Sequence, residues 1–326
     1  MIAPRRFFLK WLLALQCYGE AFLDSVRFVR SAKLLNEVSP RNQSHLESDI
    51  IRRYHVIEKG LSMGDFRPRF GADMVRELLD LLYEWERNQY SCEGSQIRAA
   101  RATLQAYADR HAELGLDVSD LLAGFDCPAA GCATGGGVRL LQPLSPADFS
   151  AFERIVETRH SVRDFEKGRI PEQELIDSAL RLAIQSPSVC NRQTWRVHIY
   201  QGERAQEVLR HQNGNRGFGP DIPMVLIITS DLRYFMGAIE RYQGWIDGGM
   251  FSMSLLLALH AQGLGAIPLN WSVLNRQDRR MRKVAGIPAS QRIIMLVGCG
   301  YSRPGALVPQ SARMPLERFV ARHVTD

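Results

Sequence analysis

Residues 223–230 of this 326-residue chain, PMVLIITS, are a continuous apolar run of strand length. A strand that is apolar on both faces must be buried on both faces, so the run predicts a central strand with helices on each side. TWRVHIYQ (194–201) alternates apolar and polar residues and predicts a half-buried neighbour, while GAIPLNW (265–271) and QRIIMLVGCG (291–300) complete the strand set. The second half is therefore predicted to be an α+β domain with one mixed sheet wrapped by helices.

The first part of the chain shows helical spacing instead. ADMVRELLDLLYEWERNQ (72–89) has apolar residues three and four apart, as an amphipathic helix does. We predict a helical N-terminal region (1–126), a Gly/Pro-rich linker (127–145) and an α+β domain (146–326). The linker has glycines but no GK[ST] ending, so it is not a P-loop.

Glycine and proline interrupt the helical pattern between residues 55 and 71, HVIEKGLSMGDFRPRFG. The segment is predicted to be a loop, either a simple connector or a lid that approaches the functional site of the second domain and narrows the choice of substrate.

The positive charge is concentrated in the second half. Residues 1–145 carry 18 basic and 18 acidic residues, whereas residues 146–326 carry 23 and 17. No basic run interleaves with aromatic residues, so a nucleic-acid-binding protein is not predicted. A modest positive balance fits an anionic small-molecule ligand.

The N-terminus permits more than one interpretation. RRFFLK (5–10) has the pattern of a twin-arginine export signal, but the apolar run after it is soon interrupted and is too short to span a membrane. We favour a retained amphipathic helix to about residue 35 in a cytoplasmic protein, with export or peripheral membrane contact through residues 5–30 as alternatives. The six cysteines include no CxxC pair and predict reduced thiols rather than a metal site.

RHSVRDF (159–165) suggests an anion site. If the segment is extended, Arg159, Ser161 and Arg163 share one face, and two guanidinium groups with a hydroxyl suit a phosphate. The alternative is a solvated turn with surface arginines.

SPSVCNRQTW (186–195) joins a predicted helix to a predicted strand and brings together Ser188, Asn191 and Gln193. Amide groups both donate and accept hydrogen bonds, which suits the edge of a heterocyclic ring. A polar helix-terminating loop is the alternative.

Small residues recur every four positions on the helix predicted for QGWIDGGMFSMSLLLALHAQG (243–263), at Gly244, Gly248 and Ser252. This stripe lets another backbone approach closely, and a second subunit is one partner that would do so.

Four segments occur in an order that resembles the FMN-dependent nitroreductase superfamily from about residue 148 to the C-terminus: RHSVRDF, SPSVCNRQTW, GLGAIPLNW (263–271) and GYSRPG with QSAR (300–313). The resemblance implies three groups of FMN contacts. The phosphate and ribityl chain would be held by Arg159, His160, Ser161, Arg163 and Arg313. The ring edge would contact Ser188, Asn191 and Gln193, and the flavin N5 atom would lie near Pro268, Leu269 and Asn270. Thr194 stands where the family usually has proline, which predicts a slightly looser loop.

The resemblance also implies a function. Such proteins pass a hydride from NADH or NADPH through FMN to a nitro, quinone or enone-like acceptor, and commonly form homodimers with two FMN at the interface. The chemistry belongs to the cofactor, so no catalytic side chain and no metal ligand is assigned. Flavin fragmentation, reductive dehalogenation and a non-catalytic flavin-binding interaction protein are the alternatives, because one fold supports several chemistries.

Overall fold

A computed structural model describes residues 3–33, 42–125 and 135–323 of the chain, with side chains from residue 11 onward. Cys127 and Cys132 of the predicted linker, and the side chains of RRFFLK, lie outside this description. The helices are α1 (Ala3–Ser31), α2 (Gln43–Leu61), α3 (Ala72–Arg87), α4 (Ser95–Glu113), α5 (Pro146–Thr158), α6 (Gln173–Ala183), α7 (Gly202–Leu209), α8 (Gln243–Ala261) and α9 (Asn275–Ala285). The strands are β1 (Trp195–Gln201), β2 (Met224–Asp231), β3 (Gly265–Leu269) and β4 (Gln291–Gly300).

The strands form one sheet in the order β1-β2-β4-β3, and neighbouring strands are antiparallel. Every residue of β2 is buried, which confirms the central strand expected from its apolar run. The α+β class is likewise confirmed. Within the described residues, the parallel component of the expected mixed sheet is a single bridge between Ser161 and Ala266.

Helices cover both faces of the sheet, as the sequence predicted. One face packs against α6 and α8 through residues such as Ile176, Phe251 and Leu255. The other face packs against α7 and α9, where Val208 and Met281 are fully buried. Both clusters include alternate residues of β2, because successive side chains of a strand point to opposite faces.

The small-residue stripe of α8 faces the sheet of its own domain, so the expectation that it meets a second subunit is wrong. A Cβ placed on Gly244 would lie 2.7 Å from Ser230 Oγ, and one on Gly248 would lie 2.7 Å from Ile294 Cγ1. Ser252 is buried and donates to Gly248 O at 2.7 Å. The stripe brings α8 close to β2 and β4.

The described N-terminal residues are helical, as predicted, and α2, α3 and α4 share a core that includes Tyr54, Trp85 and Tyr107. The predicted loop is shorter than expected, because α2 continues to Leu61. Gly60 stays within the helix and leaves room for the Phe70 ring, which packs directly against it.

Residues 62–71 then fold back onto α4. Arg69 forms an ion pair with Asp120, and its backbone N–H donates to His111 Nε2 at 2.9 Å. These contacts fix the loop within the helical region.

Helix α1 packs on the second domain through both apolar and polar contacts. Phe28 is buried against Leu232 and Phe235. Arg27 donates to Asp278 at 2.9 Å and to Gln291 O at 2.7 Å, and the Glu20 carboxylate accepts from the Asn275 backbone N–H at 2.7 Å. Apolar side chains are also exposed on this helix, with Tyr18 at 74%. Within the described ranges, no helix is long and apolar enough to cross a bilayer.

The described part of the linker is held on α4. Gly137 donates its N–H to Thr103 Oγ1 at 3.0 Å, and Gly136 passes so close to the Ala99 carbonyl that a side chain there would collide with it. The division into a region 1–126, a linker 127–145 and a domain 146–326 stays a prediction.

Adjacent glycines on α8 provide a matched test of this packing. Gly248→Ala should lower the free energy of unfolding by about 1–3 kcal/mol, because the new methyl group overlaps Ile294 against the sheet. Gly249→Ala has open space and should raise it by about 0.5–1 kcal/mol through helix propensity. Urea unfolding measures both values, and equal effects would contradict the assigned packing.

Candidate functional site

The RHSVRDF segment is positioned by the helix before it and by an edge strand. Helix α5 begins with a capping box between Ser145 and Asp148 and ends where Arg159 becomes extended. The chain then runs beside β3, where Val162 donates its backbone N–H to Ala266 O at 3.0 Å. Phe165 is buried and anchors the far end of the segment.

The arginines of this segment have no acidic partner. Its one carboxylate, Asp164, accepts from Arg303 through both oxygens. Arg163 donates to Ser161 O at 3.3 Å and lies over the Phe218 ring, 5.8 Å from the ring centroid. In the described residues, no carboxylate lies within ion-pair distance of Arg159 or Arg163. Two guanidinium groups are therefore available to an anion.

His260, at the end of α8, lies beside these cations, although no sequence pattern around it indicates a role. Its Nε2 is 2.8 Å from Thr158 Oγ1. Burial lowers the pKa of His260 below the usual value, and the positive charges of Arg159 and His160 lower that pKa further. Both charges lower the pKa of His260, as expected where the electrostatic potential around residues 159–165 is positive. His260 is about 100 residues away in sequence, so only the fold reveals the pairing.

The second predicted site segment is a tight loop. Cys190, Asn191 and Gln193 have φ values of +49°, +55° and +49°, a left-handed conformation that is uncommon outside glycine. The Ser188 hydroxyl accepts from the Gln193 N–H at 3.0 Å, and Gln193 Nε2 donates to Asn191 Oδ1 at 3.2 Å. The loop thus brings Ser188, Asn191 and Gln193 together. Left-handed residues held by their surroundings are common at ligand sites.

The residue after this loop is bonded to the central strand, and the looser loop expected for threonine in place of proline stays a prediction. Thr194 is fully buried, and its hydroxyl is 2.9 Å from Ser230 Oγ on β2. Its carbonyl accepts from Asp231 N at 2.8 Å. The threonine therefore ties the loop to the central strand.

A buried arginine that sequence analysis missed supports the same loop. Arg192 is almost fully buried, forms an ion pair with Glu240 and donates to Tyr234 O at 2.9 Å. On the other side, Val189 N donates to Asp247 of α8 at 3.2 Å, and burial raises the pKa of Asp247. Arginine is mostly exposed in proteins, so no local signal marks Arg192 as a core residue.

The N-terminal region reaches this loop through α2, and not through residues 62–71. The buried Tyr54 lies close to Asn191, its hydroxyl donates to Gln96 Oε1, and burial raises its pKa. Ser48 donates to Tyr234 O at 2.7 Å, next to the Arg192 contact. The residues that make these contacts, Ser48 and Tyr54, precede the HVIEKGLSMGDFRPRFG segment, so the approach of that segment to the functional site stays a prediction.

The third predicted segment ends the edge strand β3. Pro268 is exposed and Leu269 is buried. A proline is tolerated on an edge strand, because its missing N–H removes no ladder bond. Asn270 O accepts from Gln212 Nε2 at 3.0 Å. The bridge between Ser161 and Ala266 places the arginine segment at the other end of this strand.

The structure brings some of the predicted residues together and leaves others apart. The segment that carries Arg159, His160, Ser161 and Arg163 lies beside the β3 segment. The 188–193 loop instead contacts α8 at Asp247, thirteen residues before His260. Thirteen helical residues span roughly 20 Å. Arg313 lies in the exposed C-terminal segment, and its side chain donates to Ser311 O at 2.6 Å. The single chain does not bring Arg313 to the other arginines by any described contact.

Known proteins resemble this chain over its second half. The Nitroreductase family model matches residues 156–210 and 200–301. The "NADH dehydrogenase" of Thermus thermophilus is 28% identical over 50% of this chain and 91% of its own length. Iodotyrosine deiodinase 1 of Pongo abelii is 23% identical over 52% of this chain and 67% of its own length.

A solved structure also aligns with this chain, at a lower sequence identity than the relatives above. A protein from Desulfovibrio desulfuricans, assigned as a nitroreductase and solved in complex with FMN, aligns at 18% identity with a TM-score of 0.46. The alignment covers 56% of this chain and all of the other. The family model falls on the region that contains the first three of the four motifs and the start of the fourth. The C-terminal half of this chain belongs to the nitroreductase family, and a helical region precedes it.

Proposed function

We propose that this protein is an FMN-dependent oxidoreductase that takes a hydride from NADH or NADPH and delivers it to a nitro, quinone or enone-like acceptor. The observation that carries the proposal is the pair of arginines on either side of Ser161 in the sequence, Arg159 and Arg163, which have no acidic partner among the described residues. Family membership and the names of the relatives support the reaction type.

The arginine segment fits a phosphomonoester. The phosphate of FMN carries close to two negative charges at pH 7, and charge-assisted hydrogen bonds from arginine are among the strongest in proteins. The low pKa of His260 keeps that ring neutral near pH 7. Its neutral ring adds no charge of its own, so the binding energy comes from Arg159 and Arg163. Arg313 would join them if the C-terminal segment reached the phosphate.

The loop and the edge strand fit the ring of the cofactor. Asn191 and Gln193 offer amide donors and acceptors for the edge of a heterocycle. Pro268 has no N–H, so Leu269 or Asn270 would supply the backbone donor near the flavin N5 atom. When bound, FMN supplies hydride exchange at N5, and the protein contributes orientation and polarity. Arg192 and Thr194 keep the loop in place for that purpose.

Reductive dehalogenation is the second candidate. Four relatives carry iodotyrosine deiodinase names, and they match the same half of the chain. Under this alternative the cofactor and the reductant stay the same, and the acceptor is a halogenated aromatic compound.

We also propose that the protein is a homodimer. Helix α5 has no buried residue, and Phe152 on it is 56% exposed. Ile246 on α8 is 53% exposed, and the C-terminal segment exposes Leu316 and Phe319. Apolar surface of this extent on several parts of a chain is typical of a subunit interface.

Substitution of the arginines should weaken FMN binding selectively. Arg159→Gln and Arg163→Gln should each raise the Kd for FMN about tenfold or more, because each removes a charged hydrogen bond to phosphate. Fluorescence titration of the apoprotein measures the Kd. Riboflavin lacks the phosphate and should bind these variants as it binds the parent protein, and Arg181→Gln on α6 is the control for a lost surface charge. Equal losses for FMN and riboflavin would contradict the phosphate assignment.

Anaerobic addition of NADH or NADPH should bleach the visible absorbance of the FMN-loaded protein. Subsequent addition of nitrobenzene should restore the absorbance if the first reaction is correct. Release of iodide from 3-iodotyrosine, without a response to nitrobenzene, would favour dehalogenation. If neither nucleotide bleached the absorbance while FMN stayed bound, the oxidoreductase proposal would fail.

Sedimentation equilibrium should give about twice the chain mass of 36.9 kDa. Phe152→Asp should shift the protein toward monomer, because a charge would be buried at the interface. Leu114→Asp places the same charge at an exposed position after α4, outside the proposed interface, and should leave the mass unchanged. A monomeric parent protein would rule out the dimer.

A further inference from the structure

Two adjoining cavities lie between α1 and the beginning of α8. Their volumes are about 250 and 110 Å³, and both are lined by Asp24, Trp245 and Arg292. The larger also contacts Phe28 and Tyr242 and has mainly apolar walls. None of the residues assigned to FMN lines either cavity.

Arg292 is a buried cation without a counter-ion. It begins β4 and is 6% exposed, and burial lowers its pKa. Nη1 donates to Arg241 O at 3.2 Å, whereas Nε has no hydrogen-bond partner. In the part of the chain that the structure describes, no carboxylate lies within 4.0 Å of its guanidinium group. A buried charge is costly unless it is paired.

The nearby acids do not provide that pairing. Asp278 accepts from Arg27 at 2.9 Å, from Arg282 at 2.8 Å and from Trp271 Nε1 at 3.0 Å, so its oxygens are already engaged. Asp24 acts on Arg292 only through its charge. Among the described residues Nη2 of Arg292 makes no hydrogen bond, so the guanidinium group lines the cavity with an unused donor.

The walls of the cavity suit an aromatic ring. The guanidinium carbon of Arg292 lies over the Trp245 ring, 5.4 Å from the ring centroid, and Tyr242 and Phe28 add two further aromatic surfaces. Aromatic walls with one directed cationic group are typical of sites for small aromatic acids. We propose that this cavity, the α1–α8 site, binds a small aromatic carboxylate whose carboxylate group pairs with Arg292.

Asp24 limits what the site can hold. Its carboxylate lines both cavities, so it repels an anion placed beside Arg292. Two arginines, Arg241 and Arg292, and the single carboxylate of Asp24 line the larger cavity, so a monocarboxylate is the ligand class that the charges fit. The smaller cavity also contacts Trp271, Val273 and Leu274, directly after the β3 segment assigned to the flavin ring. A bound acid would thus lie beside that segment, although the proposal does not depend on any redox reaction.

Calorimetric titration of the full-length protein with 2-naphthoate and with its neutral analogue 2-naphthamide tests the proposal. Naphthoate should bind at least about tenfold more tightly, because only the acid forms a charged hydrogen bond. Arg292→Met should abolish this preference, and Asp24→Asn should strengthen naphthoate binding by removing a negative charge. Arg276→Met, on the exposed side of α9, is the matched control and should change neither affinity.

Two further measurements separate a binding role of Arg292 from a structural one. Arg292→Met should keep or raise the thermal midpoint, because an unpaired buried charge is removed. Ala21→Phe fills the cavity from α1, keeps Arg292, and should also block naphthoate. The proposal is overturned if naphthoate shows no saturable binding, if acid and amide bind equally, or if both Arg292→Met and Ala21→Phe bind naphthoate as the parent does. Because none of these readouts uses FMN or NAD(P)H, their failure leaves the proposed oxidoreductase activity unaffected.

Discussion

The close approach of α8 to the central sheet determines where most of the functional segments lie. Glycine at positions 244 and 248 lets the helix contact Ser230 and Ile294 directly. Along this helix, Asp247 then holds the 188–193 loop, and His260 lies beside the arginine segment. A larger side chain at either glycine would move the helix from the sheet and shift both segments relative to β3. The spacing between the two halves of the candidate site is thus set by backbone packing.

The helical N-terminal region is integrated with the second domain by polar contacts. Helix α1 pairs Arg27 with Asp278. Helix α2 contacts the 188–193 loop through Tyr54, and its Ser48 side chain donates to Tyr234 O. Hydrogen bonds and ion pairs are directional, so they fix the orientation of a helix more narrowly than apolar contact does. As a result, the helical N-terminal region both lines the α1–α8 site and supports the loop assigned to the flavin ring.

The arginines of the second domain fall into two groups with different consequences. Arg192 is paired with Glu240, and Arg303 with Asp164, so their charges stabilise local structure. Arg159, Arg163 and Arg292 have no such partner among the described residues. An external anion binds an unpaired cation with the largest gain in free energy, because no internal ion pair has to be broken first. The distribution of acidic partners, rather than the number of arginines, separates candidate ligand sites from structural pairs.

The sequence by itself determined the α+β class, the central position of β2 and the order of the family motifs. These features depend on periodicity and on short-range chemistry, which a single stretch of chain carries. The tertiary structure alone decided which surface the α8 glycines meet, which part of the N-terminal region touches the loop, and that Thr194 bonds the loop to β2. It also decided that Arg192 is paired and Arg292 is not. Such outcomes depend on contacts between residues far apart in sequence, and burial changes the energy of a charge in ways that no local pattern records.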